Sequence, residues 1–400
     1  MKSKNNRNIL HILPIIVGLI SITSQTFSQD YANDNKYYST VSWQEFFNRL
    51  EQNPRLIYFD IRRPGERADT SESPSMNQGK LRGAIETDFF EFEKYYPEYL
   101  KHKNDTIYLY CSHSYRSRAL AKQLADSSFK HVININAGLS HLNSCLVHEI
   151  PTAKKYLTNN LKYKLVTPLE FSKLLKEGKV QLIDVRSDSV YRGISEEKWD
   201  NMFGTVTGAV HIPADRISES LQKINKSKII LLLDNDGETA PLAAEYLLGK
   251  GFDARVLLFG LDNLISYLPP QDRTMIHTNY KFILQDALAT ALKDTNTVLI
   301  DIRTPSEYNS TDTTDWKNAG YIKGAINIPL ADLSKKKTEP FKNKKIILYD
   351  LMMHDELFES AEKLKEYGIT DFTLLYGGIA YTKWEAFNFG NSELIQLIAQ

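Results

Sequence analysis

The chain alternates short runs of consecutive apolar residues with stretches in which apolar residues recur every three or four positions, and the alternation repeats three times. An apolar run ending in Asp-x-Arg appears as Tyr58-Phe59-Asp60-Ile61-Arg62, Leu182-Ile183-Asp184-Val185-Arg186 and Leu299-Ile300-Asp301-Ile302-Arg303. Some 23 or 24 residues after each aspartate comes a Gly-Ala-apolar element: Gly83-Ala84-Ile85, Gly208-Ala209-Val210 and Gly324-Ala325-Ile326. A third run, at 106–110, 229–233 and 346–349, ends at Cys111, Asp234 and Asp350, 26 to 28 residues past that glycine. A helical pattern and a fourth run close each unit at Gly138, Gly260 and Gly377. Strands that are apolar throughout belong to sheets covered on both faces, and their alternation with helices makes those sheets parallel.

Before each Asp-x-Arg run lies an amphipathic helical pattern, at 41–47, 167–171 and 283–287. In the second, Thr167 is placed to cap a helix whose first position is Pro168. The prediction is an α/β protein of three tandem units, each a mainly parallel sheet flanked by helices. The units span 38–150, 164–268 and 281–390, with linkers near 152–163 and 269–280. At somewhat over a hundred residues, each is large enough for its own core.

Composition narrows the function. Lys+Arg and Asp+Glu both total 49, so no net field draws the chain to nucleic acid or anionic lipid. Lys2, Lys4 and Arg7 precede an apolar stretch from Ile9 to Ile22, broken by His11 and Pro14. That pattern predicts a signal peptide over 1–28, cut before Gln29, rather than an uncleaved anchor. The expected protein is exported, periplasmic in a Gram-negative bacterium, and free of the membrane after cleavage. Its two cysteines, Cys111 and Cys145, permit at most one disulfide, and their pairing stays open at this stage.

Cys111 is the candidate nucleophile. It leaves an apolar run for a short polar loop, Cys111-Ser112-His113-Ser114-Tyr115-Arg116-Ser117, followed by a helical pattern through Ala119, Leu120 and Leu124. Backbone N–H groups and the positive end of a helix converge on such a turn, favouring thiolate over thiol. Cys145 has no such context and reads as a structural residue.

The Asp-x-Arg strand end, the Gly-Ala-x-x-Ile-Pro element of the second and third units, and the Cys-x4-Arg-Ser loop resemble the rhodanese-like sulfurtransferase domain, in three copies across 38–390. Loops of that family typically read Cys-x-x-Gly-x-Arg-Ser/Thr, and here Ser114 replaces the glycine. The resemblance implies a Cys111 persulfide. Ser112, His113, Ser114, Tyr115 and Ser117 would form the substrate cradle, and Arg116 would bind a sulfonate or orient the loop. Ser117 is placed as the helix N-cap, and His113 either lowers the thiol pKa or is an ordinary loop residue. Related cysteine phosphatases carry one more residue between Cys and Arg, so the shorter loop favours sulfur over phosphate.

The other two loops lack the thiol. Asp234-Asn235-Asp236-Gly237-Glu238-Thr239 keeps the glycine and has Thr239 at the arginine position; Asp350-Leu351-Met352-Met353-His354-Asp355 keeps neither. The first string also resembles a haloacid-dehalogenase nucleophile motif and the start of a calcium loop, but lacks the threonine directly after the glycine and the distal ligands those need. Asp234 and Asp350 therefore mark inactive copies. The Asp-x-Arg pairs recur in all three units and read as structural.

The expected activity is transfer of sulfane sulfur from thiosulfate or a persulfide to a thiol or cyanide, with neither cofactor nor metal. The alternative is a non-catalytic binding protein of the cell envelope. Small sulfur-containing anions or thiols are the expected partners, with a protein partner open to the two inactive domains.

Overall fold

A computed structural model describes residues 31–399. The expected signal peptide and its cut before Gln29 lie outside the described residues. No helix among the described residues is long and apolar enough to cross a membrane.

The first unit contains β1 (Ser39–Val41), α1 (Trp43–Gln52), β2 (Ile57–Asp60), β3 (Ile85–Glu86), β4 (Thr106–Tyr110), α2 (Tyr115–Asp126), β5 (His131–Ile135) and α3 (Gly138–His141). Its sheet order is β1-β5-β4-β2-β3, with every pairing parallel. The second unit has β6 (Lys164–Val166), α4 (Pro168–Lys176), β7 (Val180–Asp184), β8 (Val210–His211), β9 (Ile229–Leu233), α5 (Ala240–Gly249), β10 (Asp253–Leu257) and α6 (Gly260–Tyr267). The third has β11 (Phe282–Ile283), α7 (Gln285–Ala291), β12 (Thr297–Asp301), β13 (Ile326–Asn327), β14 (Lys345–Tyr349), α8 (Asp355–Glu366), β15 (Phe372–Leu375) and α9 (Gly378–Phe389). Both repeat the strand order of the first, again all parallel.

Local chemistry sets the elements. Ser42 Oγ accepts the Glu45 N–H to cap α1, and Trp43, Phe46, Phe47 and Leu50 form its buried face. Thr167 caps α4 through the Glu170 N–H, with Pro168 at the first helical position, as its sequence predicts. In the first sheet Tyr58, Tyr108, Tyr110, Ile133 and Ile135 pack under α1, whereas Phe59, Ile107 and Leu109 face Leu120 and Leu124 of α2. The run is continuous in hydrophobicity but still alternates between two cores.

The segments between units are structured. Residues 157–158 return to pair antiparallel with 80–81, 276–277 with 205–206, and 398–399 with 321–322. The first two returning strands each press on a glycine with positive φ. A Cβ on Gly79 would stand 2.2 Å from the Thr158 carbonyl oxygen, and one on Gly204 1.7 Å from that of His277.

The Asp-x-Arg pairs serve this junction. Arg62 grips Asp60 through Nε (2.9 Å) and Nη2 (2.6 Å), and Nη2 also donates to the Gly79 carbonyl at 2.8 Å. Arg186 reaches Gly204 O at 2.6 Å and Arg303 reaches Gly320 O at 2.7 Å in the same way. The structural reading of these pairs therefore has a defined geometry.

Candidate active site

Cys111 follows β4, and its loop leads straight into α2. The three loops share one backbone shape: the fourth position is left-handed in each, with φ of 65° at Ser114, 85° at Gly237 and 68° at Met353. The helix after the fourth strand locks to each loop alike. Leu139 N–H donates to Cys111 O, Leu261 N–H to Asp234 O and Ile379 N–H to Asp350 O. This bond places Gly378 opposite Gly138 and Gly260, so the third-unit landmark lies one residue beyond the Gly377 expected from spacing.

Ser114 closes the loop without glycine because its hydroxyl is held. Ser117 Oγ donates to Asn134 Oδ1 at 2.6 Å, Asn134 Nδ2 donates to Ser114 Oγ at 3.1 Å, and Ser114 Oγ donates to Ile135 O at 3.1 Å. Ser117 is thus not the N-cap of α2; Ser114 stands at that position and Ser117 lies inside the first turn. Ser117 Oγ instead sits 3.7 Å from Cys111 Sγ, the polar atom nearest the thiol in this chain of bonds. A non-glycine residue in the left-handed region costs about 1–2 kcal/mol, and a buried hydrogen bond returns about 1. Ser114→Ala keeps the strain and loses the bonds, so a loss of about 1–3 kcal/mol is expected. Ser114→Gly relieves the strain and is expected to lie nearer the parent in a urea titration.

Arg116 is committed to a carboxylate. Its Nη1 and Nη2 meet Glu66 Oε1 and Oε2 at 2.6 and 2.8 Å, and Nη2 also donates to Ser112 Oγ at 2.9 Å. Burial alone would raise the Glu66 pKa, but the Arg116 hydrogen bonds and charge hold it below the usual range. Of the two roles expected for Arg116, this geometry serves orientation of the loop, since the guanidinium fork is filled. His113 Nδ1 lies 3.0 Å from Ser112 Oγ. His113 is exposed by surface area, at the mouth of a cavity, yet the protein around it, followed by the Arg116 charge, lowers its imidazole pKa to about 4, so it offers no charge to the thiolate at physiological pH. Tyr115 and His113 face a cavity between the three units.

Glu66 and Asn134 escaped the sequence reading, although both left a signal. Asn134 is the polar residue in the run Val132-Ile133-Asn134-Ile135, fully buried. Glu66 corresponds to Val190 in the second unit, where Thr239 replaces the arginine; charge and countercharge vanish together. In the third unit the corresponding Glu307 pairs with Lys317 at 2.9 Å instead.

The thiol-free loops hold their own anion. Asp234 Oδ1 accepts the Gly237 N–H at 2.8 Å, and Oδ2 accepts those of Thr239 and Ala240, both at 2.7 Å. Asp350 accepts the Met353 and His354 N–H groups at 2.6 Å each. Cys111 and Cys145 are both free thiols, which closes the disulfide question. Cys145 lies 3.4 Å from His141 Nε2, and burial pushes it up to about 12, as befits a structural cysteine.

Solved structures match the chain at low identity and with low TM-scores. A thiosulfate sulfurtransferase from Pseudomonas aeruginosa is 15% identical over 84% of this chain and 66% of its own, with a TM-score of 0.22. A Bacillus halodurans protein is 22% identical over 27% of this chain and 74% of its own, at 0.23. EanB in complex with ergothioneine is 12% identical over 88% and 97%, at 0.29. No curated protein matches the chain. The rhodanese-like domain family matches at 42–145, 167–266 and 284–386, most of the length and one match per sheet. The chain therefore belongs to the rhodanese-like domain family, as three tandem copies.

Proposed function

We propose that the first domain transfers sulfane sulfur through a persulfide on Cys111. The carrying observation is the bonding of Asp234 and Asp350. An aspartate oxygen stands three bonds from Cα, through Cβ and Cγ; the outer sulfur of a cysteine persulfide stands equally far, through Cβ and Sγ. Loops of one backbone shape deliver two or three N–H groups to an anion at that depth. In the first domain the same depth belongs to the outer sulfur.

In the first step the Cys111 thiolate attacks the sulfane sulfur of thiosulfate. An S–S bond forms at Sγ, the thiosulfate S–S bond breaks, and sulfite leaves with the electron pair. The persulfide anion then rests among the loop N–H groups, while Arg116, tied to Glu66 and Ser112, keeps the loop in shape. In the second step a thiolate or cyanide attacks the outer sulfur and Cys111 thiolate leaves. Electrons balance without a cofactor. Asp234 and Asp350 fill their own cradles, which supports inactivity in those copies.

The test is intact mass of the reduced protein after thiosulfate. A gain of one sulfur atom is expected, absent in Cys111→Ser. The residue Cys111 is only 1% exposed, which favours the other reading, a non-catalytic binding protein; a parent protein that gains no sulfur overturns sulfur transfer from thiosulfate and favours that reading.

A further inference from the structure

The three loops and the three helices that follow the fourth strands meet around one cavity of about 600 Å³. That volume falls among small-molecule sites, roughly 300–1,000 Å³. Equivalent positions of the three copies build its wall. The third loop position contributes His113, Asp236 and Met352. The helix position whose N–H donates to the second loop carbonyl contributes Ser140, Asp262 and Ala380, and one turn further stand Ser144, Ser266 and Trp384. Position is kept while chemistry differs: the second domain supplies carboxylates and the third supplies apolar and aromatic groups.

Two features of this wall call for a ligand. Among the described residues neither Asp236 nor Asp262 forms an ion pair. Asp236 accepts the Glu238 N–H at 3.2 Å and Asp262 accepts the Tyr376 hydroxyl. Burial and, for Asp236, the nearby Asp234 raise both carboxyls, Asp236 to about 7, as expected of acids without a countercharge. Ser140, which also lines the cavity, has a hydroxyl oxygen that is buried and without a hydrogen-bond partner, so the two carboxylates are the acceptors open to a ligand. Tyr381 and Trp384, stacked at 5.2 Å and 12°, line the same cavity and supply aromatic surface with a negative quadrupole. Lys383 also lines the cavity. No group of three His, Cys, Asp or Glu side chains among the described residues gathers to hold a metal.

We propose that this central cavity binds a small organic molecule carrying an ammonium group on an aromatic or apolar body. The ammonium supplies donors to Asp236 and Asp262, and the body lies against Tyr381 and Trp384. The site goes beyond the sulfur-transfer reading and does not depend on it.

The test is calorimetric titration of the full chain with three probes of similar size: 2-phenylethylamine, 2-phenylethanol and 3-phenylpropionate. The amine is expected to bind at least tenfold more tightly than the alcohol, and the carboxylate least. Asp236→Asn combined with Asp262→Asn should erase the preference for the amine. Ala380→Trp, which touches neither carboxylate, should remove binding by filling the cavity. Cys111→Ser should bind the amine as the parent does, so failure here reads separately from failure of sulfur transfer. No binding of the amine, an amine bound no more tightly than the alcohol, or unchanged binding in Ala380→Trp overturns the proposal.

Discussion

Cys111→Asp is expected to give a folded protein that takes up no sulfur from thiosulfate, with stability within about 2 kcal/mol of the parent. The loss of uptake is complete because the nucleophile is gone. The preserved stability is the informative half. A carboxylate buried without partners would cost several kcal/mol. In the second loop, however, the same residue at the same position receives three N–H donors, and in the third it receives two. Charge-assisted bonds are each worth about 1.5–3 kcal/mol and offset most of that burial, which still leaves Asp234 and Asp350 raised above the ordinary carboxylate range. The first loop has the same left-handed fourth residue, so its N–H groups at Ser114, Tyr115, Arg116 and Ser117 should accept the new carboxylate likewise. Cys111→Leu is the contrast: it fills the cradle with methyl groups and should cost about 1–3 kcal/mol by overpacking. Thermal melts and intact mass read both variants. A Cys111→Asp protein destabilised by several kcal/mol, as a buried carboxylate without partners would be, would falsify the cradle and remove the main support for a persulfide there.

The repeats were legible because they are written in short-range chemistry. An all-apolar strand of four or five residues, a Gly-Ala turn and an Asp-x-Arg strand end each declare themselves within a few positions, and three copies in register make coincidence implausible. The α/β class and the parallel sheets followed from that, and so did the position of the two cysteine-less loops at Asp234 and Asp350. The errors have equally local causes. Ser117 looked like the cap because serine favours helix starts, yet the left-handed Ser114 begins the helix three residues sooner, and Ser117 turns inward to Asn134. Spacing alone could not choose between the adjacent glycines Gly377 and Gly378, both with positive φ; only the bond from Ile379 N–H to Asp350 O does so. Glu66 was missed as a partner of Arg116 because the pair spans 50 positions and its one trace in the sequence is the joint loss of both charges at Val190 and Thr239 in the second unit. The cavity was beyond reach for the same reason: its walls join His113, Asp236 and Ala380, which nothing in the local sequence connects.

Asp60→Asn is expected to remove about 3–5 kcal/mol from the first domain, because it leaves the buried Arg62 guanidinium without its countercharge. Both side chains are wholly buried, and Arg62 makes two bonds to Asp60 while bridging to Gly79. Typical domains are stable by about 5–15 kcal/mol, so the loss is a large fraction of the total. Asp184→Asn and Asp301→Asn repeat the experiment in the other two domains, where the same grip on Gly204 and Gly320 exists. The pH dependence separates this cause from a packing defect. Burial alone would raise the Asp60 pKa, but Arg62 outweighs it and holds the carboxyl below its ordinary value. A depressed folded-state pKa contributes stability that is fully present above the unfolded value of about 3.9 and is lost as pH falls through the lower folded value. The gap in urea midpoint between parent and Asp60→Asn should therefore be widest near neutrality and close on acidification, as the parent's own carboxyl takes up a proton and comes to resemble the amide. A purely steric defect predicts a gap that ignores pH, and finding one would assign the Asp-x-Arg pair to packing rather than to charge.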